Sequence, residues 1–157
     1  MPEQRSTERL SPFEDGKNIR ILIADDSRVL RRIIRLILAS QANLEVVGEA
    51  SDGLECLKLA TTLKPDLITL DINMPVKDGI ETLKTLREFS DTPVIIISAL
   101  PVEDDAMAIQ LKELGASATV MKNFSEGPIG LASFEADLLG AVRAIQNEVC
   151  GVNDSGL

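Results

Sequence analysis

The chain has 157 residues, with 16 basic and 25 acidic side chains, a formal net charge of −9 and no histidine. This length predicts one domain, and a content of 45% hydrophobic residues is enough for a buried core. Without histidine, the chain cannot carry a Ser-His-Asp or Cys-His nucleophile system, a histidine-ligated zinc site or a phosphohistidine. A pI near 4.5 argues against nucleic acid binding by bulk charge.

The two ends of the chain differ in composition from its middle. Residues 1–18 are rich in charge, Ser and Pro, which predicts a disordered or loosely ordered N-terminal arm. Residues 150–157 predict a frayed C-terminal tail. The polar N-terminus lacks the apolar stretch of a signal peptide, and the longest aliphatic block, Val94–Ile97, is too short for a membrane helix. We expect a soluble cytoplasmic protein that does not contact a membrane.

Residues 19–149 repeat one unit, a short β-branched run followed by a helical pattern, five times. Such alternation predicts βαβ units and a parallel sheet, and the continuous aliphatic runs indicate strands covered on both faces. The simplest arrangement is a flavodoxin-like, doubly wound α/β domain with sheet order 2-1-3-4-5 and five helices. The predicted strands are Arg20–Ala24, Leu44–Gly48, Asp66–Leu70, Pro93–Ile97 and Ser117–Met121.

Two of the predicted helices carry clear local signals. The third begins at Asp78 with Glu81 three residues later, a pattern typical of a helix N-cap. The last has an apolar stripe with a period of 3.6 residues, which predicts its buried face. The stripe consists of Phe134, Leu138, Ala141, Val142, Ile145 and Val149.

Polar side chains follow four of the five predicted strands. Because ligands of open α/β sheets bind at the carboxyl ends of the strands, we expect these side chains to meet at one rim. Three carboxylates without His or Cys suit Mg²⁺, and a carboxylate beside this ion can act as a nucleophile toward phosphorus. The residues are Asp25 and Asp26 after the first strand, Asp71 after the third, Ser98 after the fourth and Lys122 after the fifth.

Four segments, ILIADDS, TLDINMPVKDG, VIIISAL and VMK, in this order and spacing, resemble the receiver domains of two-component response regulators. The resemblance covers roughly Asn18 to Val149. It implies that a partner histidine kinase donates a phosphoryl group to Asp71, with Mg²⁺ as cofactor. It further implies that Asp26 binds the metal directly, Asp25 largely through water, and Asn73 through its backbone carbonyl. Ser98 is then the switch hydroxyl, and Lys122 pairs with the phosphate.

A finer resemblance is to the receiver of the chemotaxis methylesterase. It rests on the segments LITLDINMPVKDG and PVIIISAL, and on the long segment NFSEGPIGLASFEADLL after the lysine. That enzyme family carries a catalytic domain after its receiver, and no such segment follows in this sequence. We therefore expect no esterase or kinase activity, and at most self-phosphorylation and slow autodephosphorylation.

Two positions differ from the receiver pattern. Asn123 follows Lys122 where receivers usually have proline, so we expect the loop to be trans, mobile or differently shaped, because a non-proline cis bond costs about 2.5–4 kcal/mol. Thr119 stands where the family often has an aromatic residue. The usual coupling of a swinging ring to the hydroxyl of Ser98 is then absent.

The first predicted helix carries four arginines, Arg28, Arg31, Arg32 and Arg35, on one stripe. Charge runs are usually solvated helix faces. The alternative is a docking surface for an acidic partner, since this helix begins beside the predicted rim. The sequence leaves both interpretations open.

The preferred function is a phosphoacceptor switch, possibly of a chemotaxis-type system, that contacts a protein target through helix 4, strand 5 and helix 5. The alternative is a pseudo-receiver, an interaction module in which phosphate and output are uncoupled. An aspartate-nucleophile phosphatase ranks low, because such an enzyme needs a second acid two residues after its nucleophile and position 73 is Asn. A dinucleotide-binding domain is excluded, because the first strand leads into ADDSR and not into a glycine-rich turn. Whether the chain forms a homodimer is left open.

Overall fold

A computed structural model describes residues 18–99 and 105–150, where strands and helices alternate along the chain. Strands β1 to β5 are Ile19–Ala24, Leu44–Ala50, Leu67–Asp71, Val94–Ser98 and Ala116–Met121. Helices α1 to α5 are Arg28–Ala39, Gly53–Leu63, Gly79–Leu86, Asp105–Glu113 and Gly127–Cys150, and a 3₁₀ helix, Phe124–Glu126, precedes α5. The predicted arm and tail lie outside the described residues except for Asn18 and Cys150.

The five strands form one parallel sheet in the order β2-β1-β3-β4-β5. This confirms the predicted flavodoxin-like, doubly wound architecture. Every residue of β3 and β4 is buried, as expected for central strands that helices cover on both faces. The carboxyl ends of β1, β3 and β4 are therefore adjacent at one edge of the sheet.

Alternate residues of each strand enter two separate cores. Ile21 and Ile23 of β1 belong to the core beneath α1 and α5, whereas Leu22 belongs to the core beneath α2, α3 and α4. Each core is lined by fully buried aliphatic side chains, and burial of each such side chain contributes about 1.5–3 kcal/mol. The two cores therefore pack helices against both faces of the sheet.

The strand boundaries agree with the prediction to within two residues. Strand β2 continues past Gly48 to Ala50, because β1 goes on pairing with it after a register shift between Ile21 and Leu22. Strands β3 and β4 begin one residue later than predicted and end on Asp71 and Ser98. These two polar residues therefore lie within the sheet, where the backbone fixes their direction.

The apolar stripe of α5 faces the sheet as predicted. Phe134, Leu138, Val142 and Ile145 are buried, and Ala141 is partly buried. The side chain of Val149 lies outside the described part of the structure. In the described ranges, no helix combines the length and apolar character needed to cross a membrane.

Side-chain caps begin the helices nearest the strand ends. The Ser27 hydroxyl accepts a hydrogen bond from the Leu30 N–H at the start of α1. The Asp78 carboxylate accepts one from the Glu81 N–H at 2.8 Å, so α3 starts where the sequence predicts. Both caps satisfy N–H groups that have no partner within their helix.

Asp78 is exposed, and we predict that its role is confined to this cap. Asp78→Ala should lower the free energy of unfolding by about 1 kcal/mol, because the Glu81 N–H loses its acceptor. Asp78→Asn should stay close to the wild type, since Asn is an equally good N-cap. Urea unfolding of the three proteins checks this, and equal losses for Ala and Asn would contradict it.

Candidate functional site

Three carboxylates converge at the carboxyl ends of β1 and β3. Asp25 follows β1 directly, Asp26 comes next, and Asp71 is the last residue of β3. One carboxylate oxygen from each lies within 4.8 Å of the others. Asp25 and Asp71 are 1% and 3% exposed, whereas Asp26 is open to solvent. The cluster therefore has two buried carboxylates and one that is accessible to solvent.

The Lys122 ammonium lies between the two buried carboxylates. Its Nζ is 3.0 Å from Oδ2 of Asp25 and 3.3 Å from Oδ1 of Asp71. Lys122 directly follows β5, and its backbone N–H donates to the carbonyl of Ser98 at 2.8 Å. This single cation offsets part of the repulsion between Asp25 and Asp71.

Ser98 and Asn73 occupy the same edge of the sheet. Ser98 ends β4 and is 7% exposed. The exposed Asn73 follows Asp71 by two residues, and its N–H donates to Oδ1 of Asp71 at 3.4 Å. The structure thus brings Asp25, Asp71 and Lys122 into direct contact and places Ser98 and Asn73 beside them. The roles of the Ser98 hydroxyl and the Asn73 carbonyl stay predictions.

The protonation of Asp71 reflects this crowded setting. Burial raises the pKa of its carboxyl above the usual value, and the neighbouring Asp25 carboxylate raises it further. Lys122 and the Asn73 N–H act in the opposite direction and only partly offset the rise. In the absence of another cation, the folded protein therefore disfavours ionised Asp71.

The residues fit a hard divalent cation. Oδ2 of Asp25 is buried and accepts no hydrogen bond from the described residues, although it faces the Lys122 ammonium. Three carboxylates against one ammonium leave an excess of negative charge. Oxygen donors without His or Cys are the set that Mg²⁺ prefers.

The loop from β3 to α3 is built closely around Asp71. A Cβ on Gly79 would overlap the carbonyl oxygen of Asp71 and lie 2.7 Å from Cα of Ile72, so only glycine fits there. The Lys77 N–H donates to the Pro75 carbonyl at 2.6 Å, which forms a γ-turn around Val76. Val76 has a φ of 68° and is 75% exposed. A β-branched residue in this region stores about 1–3 kcal/mol of strain.

The arginine stripe of α1 divides into two pairs. Arg31 and Arg35 bind the two carboxylate oxygens of Glu49 in β2, at 3.1 and 2.6 Å. Although partial burial raises the pKa of Glu49, hydrogen bonds from Arg35 and Arg31 lower it overall. Arg31 also donates to the Asp25 carbonyl at 2.7 Å. Among the described residues, the exposed side chains of Arg28 and Arg32 have no partner.

The role of Glu49 was missed by sequence reasoning, because the residue lies beyond the predicted end of its strand. A carboxylate at an edge-strand position opposite a basic helix face was the available signal. The pairing shows that half of the stripe stabilises the junction of α1 with the sheet. The other half remains an exposed basic surface.

The structure describes both positions that differ from the receiver pattern, Asn123 and Thr119. The described residues contain no cis peptide bond, so the bond from Lys122 to Asn123 is trans. Thr119 lies in β5 with an exposed side chain. Neither change displaces the Lys122 ammonium from Asp25 and Asp71.

Comparison with known proteins places this arrangement in a family. The family model of the response regulator receiver domain matches residues 21–132. A protein-glutamate methylesterase/protein-glutamine glutaminase of Caldanaerobacter subterraneus is 39% identical over 81% of this chain and 35% of its own length. A relative of the same name from Halalkalibacterium halodurans is 45% identical over 72% of the chain and 32% of its own length. The chain thus spans about a third of the length of these relatives.

Solved structures of response regulators are also similar to this chain. The response regulator domain of Thermotoga maritima CheB covers 83% of this chain and 98% of its own, with 37% identity and a TM-score of 0.76. A CheX-CheY-BeF3-Mg+2 complex from Borrelia burgdorferi contains a chain that matches with 28% identity and a TM-score of 0.70, covering 81% of this chain and 88% of its own.

The buried, crowded Asp71 carboxylate should destabilise the metal-free fold at neutral pH. Because its folded pKa is raised, this penalty is complete above the folded pKa and disappears as the pH falls toward the unfolded value. Asp71→Asn should therefore be more stable than the wild type at pH 7 in the presence of a chelator, and its advantage should shrink on acidification. Thermal melts across pH test this.

Asp26→Asn serves as the matched control, since it removes an exposed carboxylate of the same cluster and should change stability little. An Asp71→Asn variant that is less stable than the wild type at pH 7 without metal would contradict the prediction.

Proposed function

This chain belongs to the response regulator receiver family, and we propose that it is a phosphoacceptor switch that receives a phosphoryl group from a partner histidine kinase on Asp71. The contact of a buried carboxylate, Asp71, with the Lys122 ammonium at 3.3 Å carries this proposal. Asp71 is the one buried carboxylate of the cluster that ends a central strand, beside an exposed loop. We propose that the transfer takes place in the cytoplasm.

A magnesium ion would be held by Asp25, Asp26 and Asp71, with the backbone carbonyl of Asn73 as a further ligand. The three carboxylates within 4.8 Å of one another and the shortage of positive charge support this assignment. When bound, the ion supplies neutralisation of phosphoryl charge during transfer. The accessible Asp26 and the buried Asp25 give the site one solvent-facing and one fixed ligand.

The chemical step needs few groups from the chain itself. An Asp71 carboxylate oxygen attacks phosphorus, the new O–P bond forms as the N–P bond of the donor phosphohistidine breaks, and the donor imidazole takes up a proton. Lys122 pairs with a phosphoryl oxygen and so follows the negative charge from the Asp71 carboxylate to its phosphate. The Ser98 hydroxyl donates a hydrogen bond to another phosphoryl oxygen. No histidine is required on the receiving chain.

The outer face of α1 is proposed as the kinase docking surface. Arg28 and Arg32, which have no partner in the part of the chain that the structure describes, lie beside Val29 and Leu36, which are 67% and 64% exposed. A concentrated basic and apolar surface on a chain of net charge −9 favours an acidic, partly apolar partner. The helix begins three residues after Asp25, which brings a docked donor to the rim.

The face of α4, β5 and α5 is proposed as the contact for the protein target. Ile109 of α4 and Leu131 of α5 are 55% and 39% exposed. Thr119 of β5, the strand that connects these two helices in sequence, is also exposed. Phosphorylation would act by shifting a conformational balance of this face. The methylesterase relatives support a chemotaxis-type output, and this chain matches about a third of their length.

The alternative is an interaction module whose phosphate and output are uncoupled. The exposed Thr119 favours it, because its small side chain provides no ring that could move between an exposed and a buried position. Under this alternative the fold and the α1 surface would act without phosphate. The two functions differ in whether Asp71 is phosphorylated.

Incubation with acetyl phosphate distinguishes them. We expect Mg²⁺-dependent phosphorylation of the wild type, loss of the signal with a chelator, and none in Asp71→Asn, because the nucleophile is removed. Phosphate-affinity gels measure the phosphorylated fraction. A wild type that takes no phosphate would support the uncoupled module, and phosphate that persists in Asp71→Asn would place the acceptor elsewhere.

Reversal of the α1 charges tests the docking surface. Arg28→Glu with Arg32→Glu should slow phosphotransfer from the cognate kinase roughly tenfold, because electrostatic steering is lost. Phosphorylation by acetyl phosphate should not change, since neither arginine touches the cluster.

The matched control is Lys58→Glu with Lys84→Glu, which changes the net charge equally on the exposed faces of α2 and α3. Equal slowing by both double variants would mean that overall charge, not the α1 surface, governs docking.

A further inference from the structure

The segment that follows Lys122 leaves the sheet and packs against α5. Strand β5 ends at Met121, and the Lys122 N–H donates to the Ser98 carbonyl of β4. The chain then turns into the 3₁₀ helix, whose Glu126 N–H donates to the Asn123 carbonyl at 3.1 Å. The position of the Lys122 side chain therefore depends on what holds Asn123.

Gly130, in the first turn of α5, lies directly against Asn123. A Cβ on Gly130 would overlap the carbonyl oxygen of Asn123, and it would lie 2.8 Å from the carbonyl carbon and 2.9 Å from Cβ of Glu126. Two of these three atoms are backbone, so a side-chain rotation cannot relieve the overlap. Gly130 is itself buried within an otherwise exposed turn of the helix. Its hydrogen in place of a side chain is what allows α5 to approach the loop this closely.

A second contact fixes the same loop. The ring of Phe124 packs edge to face on the ring of Phe134, with centroids 5.0 Å apart. Phe134 is fully buried in the core beneath α1 and α5. The loop after Lys122 thus contacts α5 at two points, the buried ring of Phe134 and the backbone at Gly130.

We propose that Gly130 is a positioning residue for Lys122, because its close approach to the Asn123 carbonyl sets where the Lys122 ammonium lies against Asp71. This inference rests on the proposed function, in which Lys122 pairs with the transferred phosphoryl group. Any larger residue at position 130 must move the Asn123 backbone or the start of α5 by roughly an ångström, a misplacement that can cost a reaction about a hundredfold in rate. Gly130 touches no reacting atom itself.

The test compares two glycines of the same helix. Gly130→Ala should slow phosphorylation by acetyl phosphate about tenfold to a hundredfold at saturating Mg²⁺. Gly140→Ala makes the same change at a position with nothing within 4 Å, so both variants gain the same helix propensity and only Gly130→Ala disturbs the loop. Gly140→Ala should phosphorylate at the wild-type rate.

A double-mutant cycle separates positioning from general damage. In a Lys122→Ala background, Gly130→Ala should cause no further loss, because the group that it misplaces is already gone. An equal loss in both backgrounds would overturn the proposal, and so would a Gly130→Ala rate equal to that of Gly140→Ala. If the wild type itself takes no phosphate, the proposed function fails and this inference falls with it.

A milder variant covers the case in which Gly130→Ala does not fold. Phe124→Leu removes the ring contact with Phe134 without introducing an overlap, so it loosens the same loop. It should slow phosphorylation in the same direction but by less, and this loss should also vanish in the Lys122→Ala background. A Phe124→Leu loss that is equal in the presence and absence of the Lys122 side chain would overturn the proposal.

Discussion

The Lys122 ammonium lies 3.0 Å from a carboxylate oxygen of Asp25 and 3.3 Å from one of Asp71. Two carboxylates buried at adjacent strand ends repel each other, and an unpaired buried charge costs several kcal/mol. One shared cation makes the arrangement tolerable while leaving excess negative charge that favours a metal ion. Under the proposed function, the same cation would transfer its pairing to a phosphate on Asp71. The surrounding loops fix the position of this ammonium relative to the Asp71 carboxylate.

The fold and the members of the site could be predicted because they depend on local patterns. Continuous aliphatic runs indicate strands covered on both faces, and parallel strands bring their carboxyl ends to one edge. This pattern predicts that Asp25, Asp71 and Lys122 meet at one rim, and the structure brings an oxygen of each carboxylate within 3.3 Å of the Lys122 ammonium. The spacing of Asp78 and Glu81 predicts the helix start, and the cap confirms it. The predicted strand ends differ from the observed ones by at most two residues, and the largest difference arises because pairing with β1 extends β2 past Gly48 to Ala50.

Other features depend on distances that a sequence pattern does not contain. The pairing of Glu49 with Arg31 and Arg35 requires the register of an edge strand against a helix. The positive φ of Val76 opposes the preference of a β-branched residue, so no propensity would predict it. The closeness of Gly130 to Asn123 depends on how α5 enters the fold. All three lie on loops or junctions around the site, where tertiary contacts override local preference.

The absence of histidine is consistent with the groups that the chain brings together at its site. Under the proposed function, Asp71 is the carboxylate acceptor, Lys122 pairs with its charge and the acidic cluster holds a divalent ion, so the histidine of the transfer would belong to the donor. Borohydride reduction of the phosphorylated protein, followed by peptide mass spectrometry, tests this most directly. Reduction of an aspartyl phosphate yields homoserine, and we predict it at position 71 alone. Homoserine at another position, or none after Mg²⁺ and acetyl phosphate treatment, would contradict the account.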